Sequence, residues 1–197
     1  MAKISQRELI RRMSTREITK HLIVTQLILL TIAVLSSAFL FVDPVNKWLS
    51  LFNAGPEILW FGVMPAIIVI SIDFILMFLL PERFYDDGGI NQKVFQNQKA
   101  VNIFWLTLLI AICEEVLFRG VIQTSFGYLA AGTLFALIHF RYLKKVVLFV
   151  SVLLVSYFLG YMFHITENLL VTITSHFLID FILGIWISKY YGRGQNE

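Results

Sequence analysis

The chain has 197 residues, 58% of them hydrophobic and 15% charged, with 18 Phe and a formal net charge of +3. Soluble domains carry about 45–50% apolar and about 25% charged residues. This balance therefore excludes an ordinary soluble enzyme and indicates an all-α membrane bundle, a single membrane domain over 1–197. One cysteine, Cys113, excludes an intramolecular disulfide and any multi-cysteine metal site.

Residues 1–20 are polar and basic, with Ile4, Leu9, Ile10, Met13 and Ile18 interleaved among Arg and Lys. They read either as a helix lying on an anionic leaflet or as a plain cytoplasmic tail with retention charges. No small-residue cleavage site marks a removable signal. Apolar stretches long enough, or nearly so, for the roughly 20 residues of a membrane-spanning helix follow at 22–42, 58–80, 101–123, 126–140, 146–164 and 168–188. That is about six spans, the fourth of them short. The first two, with their loop, occupy 21–97, and the rest occupy 98–190. Pro44, Pro56 and Pro81 punctuate the connections. Pro65 falls inside the second span, where neighbouring helices can satisfy the carbonyl it frees.

All the basic residues except Lys47 and Arg119 fall on one side of these spans: before the first, after the second, after the fourth and after the sixth. The positive-inside rule then makes both termini cytoplasmic, in a multi-pass protein of a bacterial plasma membrane. Trp48, Trp60, Trp186, Tyr190 and Tyr191 lie near the expected interfaces, as aromatic belts do. Nothing in the chain indicates a nucleic-acid partner, and oligomeric state is not legible.

Three clusters of polar residues interrupt the apolar runs. The third span carries Glu114, Glu115 and Arg119, the fourth ends in Phe135 and His139, and the sixth holds His176 and Asp180. Each ionisable group at bilayer depth costs at least about 2.5 kcal/mol, so intramembrane charges mark functional sites. From a helical rise of about 1.5 Å per residue, Glu114 lies roughly 14 Å, His176 roughly 12 Å and His139 roughly 20 Å from the outer ends of their spans. These depths are compatible with one site. Glu115 and Arg119 are four apart and share a helix face, as do Phe135 and His139, and His176 and Asp180.

Peptide hydrolysis needs an activated water, a donor to the tetrahedral oxyanion and a proton for the leaving amine, and these residue types supply all three. Cys113 points about 100° round the helix from Glu114, and Ser125 and Ser175 have no evident base, so water is the better nucleophile. Glu114, His139 and His176 are also the ligand types of a two-His, one-carboxylate zinc site. The His-Glu-x-x-His pattern is absent, and metal-free chemistry is slightly preferred. Asp73, in the second span, reads first as a helix-packing hydrogen bond, with a substrate-channel role as the alternative. His164 and His21 read as interfacial.

Glu-Glu-x-x-x-Arg at 114–119, Phe-x-x-x-His at 135–139 and His-x-x-x-Asp at 176–180, in that order on successive apolar helices, resemble the CPBP family of intramembrane proteases. It is also called the CaaX protease and bacteriocin-processing, or Abi, family. The resemblance covers roughly the last 95 residues and departs at Asp180, where the eukaryotic-type members commonly have Asn. It implies that Glu114 and His139 hold and deprotonate the attacking water. It further implies that His176 and Asp180 hold the substrate carbonyl, stabilise the oxyanion or help bind a metal, while Glu115 and Arg119 fix the carboxylate geometry. The implied substrate is a membrane-anchored or amphipathic peptide. The rival readings are a catalytically silent scaffold or bacteriocin-immunity protein of the same fold, and a proton-coupled transporter.

Overall fold

The computed structural model describes Glu8, residues 12–143 and residues 145–193. Ile4, Leu9 and Ile10 of the interfacial reading lie outside the described residues. The first helix, α1 (Thr15–Leu40), starts well before the apolar pattern does. The reason is a capping box: Ser14 Oγ accepts the Glu17 amide at 3.2 Å, and Glu17 Oε2 accepts the Ser14 amide at 2.7 Å. Residues 15–20 are thus the first turns of the first spanning helix, not part of a separate surface helix.

A short α2 (Pro44–Ser50) follows, capped by Asp43, whose carboxylate accepts from the Asn46 amide and side chain. Those bonds hold the exposed Asp43 carboxyl below its usual range. Next comes α3 (Ile58–Leu79), whose first six residues, Ile58–Val63, form a π-turn just ahead of Pro65. Proline offers no N–H to the helical ladder, and the wider turn lies beside that gap. Gly62, in this turn, is where α3 meets a later helix backbone to backbone: a Cβ there would stand 2.9 Å from the Val171 carbonyl oxygen.

After the short α4 (Ile90–Phe95), α5 (Ala100–Phe126) runs through the middle of the bundle. More than half of its span is buried against neighbours, against a third or less in the other long helices. Gly127, at φ +86°, a conformation few side chains tolerate, separates α5 from α6 (Tyr128–Ile138). The chain then continues through α7 (Val146–Thr166) and α8 (Leu169–Arg193).

Among the described residues, five of these helices are long and apolar enough to cross a membrane. The sixth expected span is only the 11 residues of α6, about 16 Å at helical rise, too short to cross alone. It packs instead against α5 and α7 within the bundle.

Contacts between remote segments define two ends. At one, Ile18 packs with Val94, Phe95 and Ile103, the Lys145 ammonium donates to the Arg83 carbonyl, and Tyr191 donates to Glu82 at 2.8 Å. At the other, the Leu169 amide donates to the Leu51 carbonyl at 2.8 Å, and Asn168 joins Asn53 and Glu57. The start of α1 and the end of α8 therefore share one end of the bundle, the end that carries most of the basic residues.

Candidate active site

Glu114 and Glu115 close the α-helical part of α5, and the helix widens into a π-segment, Val116–Gln123, immediately afterwards. Such π-segments are frequent at functional sites. Here the widened turn carries Arg119, whose carbonyl is satisfied by the Thr124 hydroxyl five residues on, at 3.1 Å. Glu115 and Arg119 are both fully buried.

The polar side chains of α5 tie it to three neighbours. Toward α8, Glu115 Oε1 lies 2.9 Å from His176 Nδ1. Toward α7, Arg119 Nη2 donates to the carbonyl and hydroxyl oxygens of Ser156, both at 3.2 Å. Toward α1, Glu114 Oε1 accepts from Gln26 Nε2 at 2.9 Å. Within α5, Arg119 Nε faces Glu115 Oε2 at 3.3 Å, the expected i,i+4 pair. Breaking a buried pair of this kind typically costs about 3–5 kcal/mol, because one charge is left without compensation.

His176 is the junction of the site. Its Nδ1 meets Glu115, while its Nε2 lies 3.5 Å from Asp180 Oδ2, one turn along α8, and 4.0 Å from Glu114 Oε2. Three of the sequence-identified carboxylates thus surround one ring. His139 stands at the end of α6, where the helix stops. Its Nδ1 lies 2.8 Å from the Phe135 carbonyl oxygen, which can only accept. Nδ1 therefore carries a hydrogen, and in the neutral ring Nε2 is the atom with the lone pair. The Phe135 ring packs between the two histidines, with centroids 4.9 Å from His139 and 6.0 Å from His176, and the Arg119 guanidinium lies over the same ring. His139 also stacks on Tyr142, whose hydroxyl accepts from Arg141 at 2.6 Å and is pushed above the usual phenol range by burial. No hydrogen bond or ion pair joins His139 to Glu114 among the described residues; the two share a cavity.

That cavity has a volume of about 640 Å³ and reaches Glu114, His139, His176 and Asp180. Such a volume is within the range of ligand and substrate pockets. Its lining also includes Gln26 of α1, Asp73 of α3 and residues of the 82–95 connection. The site is therefore enclosed by more helices than the third, fourth and sixth spans of the sequence reading. Asp73 needs a correction as well. It lines the cavity within electrostatic range of Asp180, and no helix-packing hydrogen bond engages it among the described residues.

Glu114, His139 and His176 are not gathered into one metal set in this structure. His176 Nδ1 meets Glu115 and His139 Nδ1 faces a backbone carbonyl, partners that metal-ligating histidines also use, so Nε2 is the ring atom each turns elsewhere. Among the described residues, no group of three or more His, Cys, Asp or Glu is disposed to hold a metal ion.

Two contributors escaped the sequence reading. Ser156 carries no signal, since small hydroxyl residues are common in apolar helices. Gln26 did carry one: it is the only amide side chain within the first apolar stretch.

Comparison with known proteins places these features in context. A family model described as type II CAAX prenyl endopeptidase Rce1-like matches residues 96–182, which contain all six polar residues of the three clusters. A protein of Bacillus subtilis (strain 168), the uncharacterized protein YpbD, is 44% identical over 164 residues, covering 83% of this chain and 86% of that protein. No solved structure matches.

Proposed function

The chain belongs to the CPBP (CaaX protease and bacteriocin-processing, Abi) family, with its Rce1-like domain at residues 96–182, and on that premise we propose that it is an intramembrane endopeptidase. Its long apolar helices and its bacterial relative fit a multi-pass protein of the bacterial plasma membrane. The basic end of the bundle is the cytoplasmic face, by the positive-inside rule. The substrates are membrane-anchored or amphipathic peptides that reach the cavity from the lipid or from that face. The family model's description names a prenyl endopeptidase; a prenyl chain on this protein's substrates is not part of the proposal.

In the proposed reaction, Glu114 removes a proton from a water in the cavity as the water oxygen attacks the scissile carbonyl carbon. His139, with Nε2 carrying the lone pair, accepts a hydrogen bond from the same water and shares its proton. The carbonyl electrons move onto oxygen, and the oxyanion takes a hydrogen bond from Nε2–H of His176, which acts as an imidazolium stabilised by the Glu115 and Asp180 carboxylates. Asp180, 3.5 Å from that nitrogen, orients the ring. The C–N bond then breaks as Glu114 returns the proton to the leaving amine. Glu115 and Arg119 are architectural: they hold His176 and α7 against α5 and so fix where Glu114 stands.

The observation that carries this reading is the junction at His176, with Glu115 at 2.9 Å on one ring nitrogen and Glu114 and Asp180 within 4.0 Å of the other, at a cavity wall. A scaffold that only binds has no need of three carboxylates and an arginine at bilayer depth. The test uses purified protein in liposomes with a library of membrane peptides, read by mass spectrometry beside a Glu114→Ala control. Cleavage products that appear with the wild type and vanish with the control are the expected result. Identical peptide profiles would contradict the reading.

A further inference from the structure

The family model begins at residue 96, so α1 lies outside the matched region, yet α1 supplies a buried partner to the site. Gln26 is 2% exposed, and its Nε2 donates to Glu114 Oε1 at 2.9 Å. Its other polar atom, Oε1, is buried without a partner. Burying an amide oxygen without a partner costs free energy, and a Met or Leu would fill the same space without that cost. A carboxylate accepts and does not donate, so the contact with ionised Glu114 fixes which end of the carboxamide faces it. Glu114 Oε1 is thereby occupied from α1, and Oε2 is the oxygen left on the His176 side, 4.0 Å from Nε2.

We infer that Gln26 is a positioning residue for Glu114: its N–H holds one carboxylate oxygen so that the other faces the water and His176. Its Oε1 accepts an N–H or O–H donor entering the cavity. The inference rests on Glu114 being the general base. It gives α1 a part in the chemistry that the matched region alone does not contain. Among the described residues, the charged and titratable groups around Glu114 are Cys113, Glu115 and Arg119 on α5, His176 and Asp180 on α8, His139 at the end of α6 and Asp73 on α3. Gln26 is the neutral donor among them.

The variant that tests this is Gln26→Met, which keeps the volume and removes both polar atoms. In liposomes, with a peptide the wild type cleaves, kcat should fall by about 10- to 100-fold, the scale of misplacing a reacting group. KM should stay within about twofold, because the amide holds the base rather than the substrate. Added to Glu114→Gln, the same substitution should lower kcat no further, since residues acting through one another are non-additive. A merely structural role would instead lower the melting temperature and act additively in both backgrounds. A second readout needs no substrate: labelling of Glu114 by an apolar carbodiimide, located by mass spectrometry, should rise severalfold in Gln26→Met as the carboxylate loses its donor. Unchanged kcat together with unchanged labelling would overturn the inference. If Glu114→Gln cleaves as fast as the wild type, Glu114 is not the general base, and the catalytic part of this inference fails with that assignment while the protease reading stands. The labelling result then decides the Gln26–Glu114 contact alone.

Discussion

Asn168 and Glu115 are both nearly inaccessible polar side chains at helix contacts, but their surroundings differ. Asn168, between α7 and α8, uses its whole amide: Nδ2 donates to the Asn53 carbonyl at 2.6 Å and to Glu57 at 3.1 Å, and Oδ1 accepts from the amides of Asn53 and Leu170. Around Glu115, Arg119 Nε and Glu115 Oε2 are held by their ion pair alone, Arg119 Nη1 and Gln26 Oε1 lack hydrogen-bond partners, and the neighbouring Gln26, Glu114 and His176 border a cavity. A closed polar knot stabilises a junction and asks nothing further. An open one costs free energy unless something enters to complete it. By this criterion the first group holds the bundle together, and the second fits the ligand-handling role proposed for it.

Substitutions should separate the two groups. Arg119→Leu should have the largest structural effect, leaving the Glu115 charge without compensation at a cost of about 3–5 kcal/mol. The melting temperature in detergent and the hydrolysis rate should fall together. Lost activity with an unmoved melting curve would make Arg119 a participant in the reaction and blur the comparison. Asn168→Ala should cost about 1–3 kcal/mol, because it orphans the Asn53 and Glu57 groups. The check is a lowered melting temperature with kcat per folded molecule unchanged. Ser14→Ala removes half the capping box of α1 and should cost only about 1 kcal/mol, with hydrolysis at the wild-type rate. Exhaustive chelation should have no effect on hydrolysis, since the proposed reaction runs through Glu114 and the histidines without a metal. Elemental analysis of the chelated and still active protein checks this, and a tightly bound stoichiometric metal would overturn it.

Much of this architecture was legible in the residues. Apolar length marked the long helices, and the expense of charge in an apolar helix pointed to Glu114, Glu115, Arg119, His139, His176 and Asp180 before any contact was known. The misses have local causes. The early start of α1 was decided by Ser14 and Glu17, a capping signal that overrides hydropathy. The shortness of α6 follows from the reversal at Gly127 and the helix end at His139, where the apolar run continues past the last helical turn. The partner roles of Gln26, 88 residues from Glu114, and of Ser156, 37 residues from Arg119, arise only from packing, which no periodicity encodes. Asp73 looked like a packing residue because its span is otherwise apolar, whereas the fold turns it toward the cavity.

The central claim is that the open group performs hydrolysis through Glu114, and Glu114→Gln tests it most directly. The substitution preserves shape and the contact with α1 while removing the base. Hydrolysis of one membrane peptide and the melting temperature should be measured for wild type and variant in the same liposomes. The account predicts at least about a 100-fold loss of hydrolysis, the usual scale for a general base, with an unshifted melting curve. Turnover near the wild-type rate, in a variant equally well folded, would contradict it.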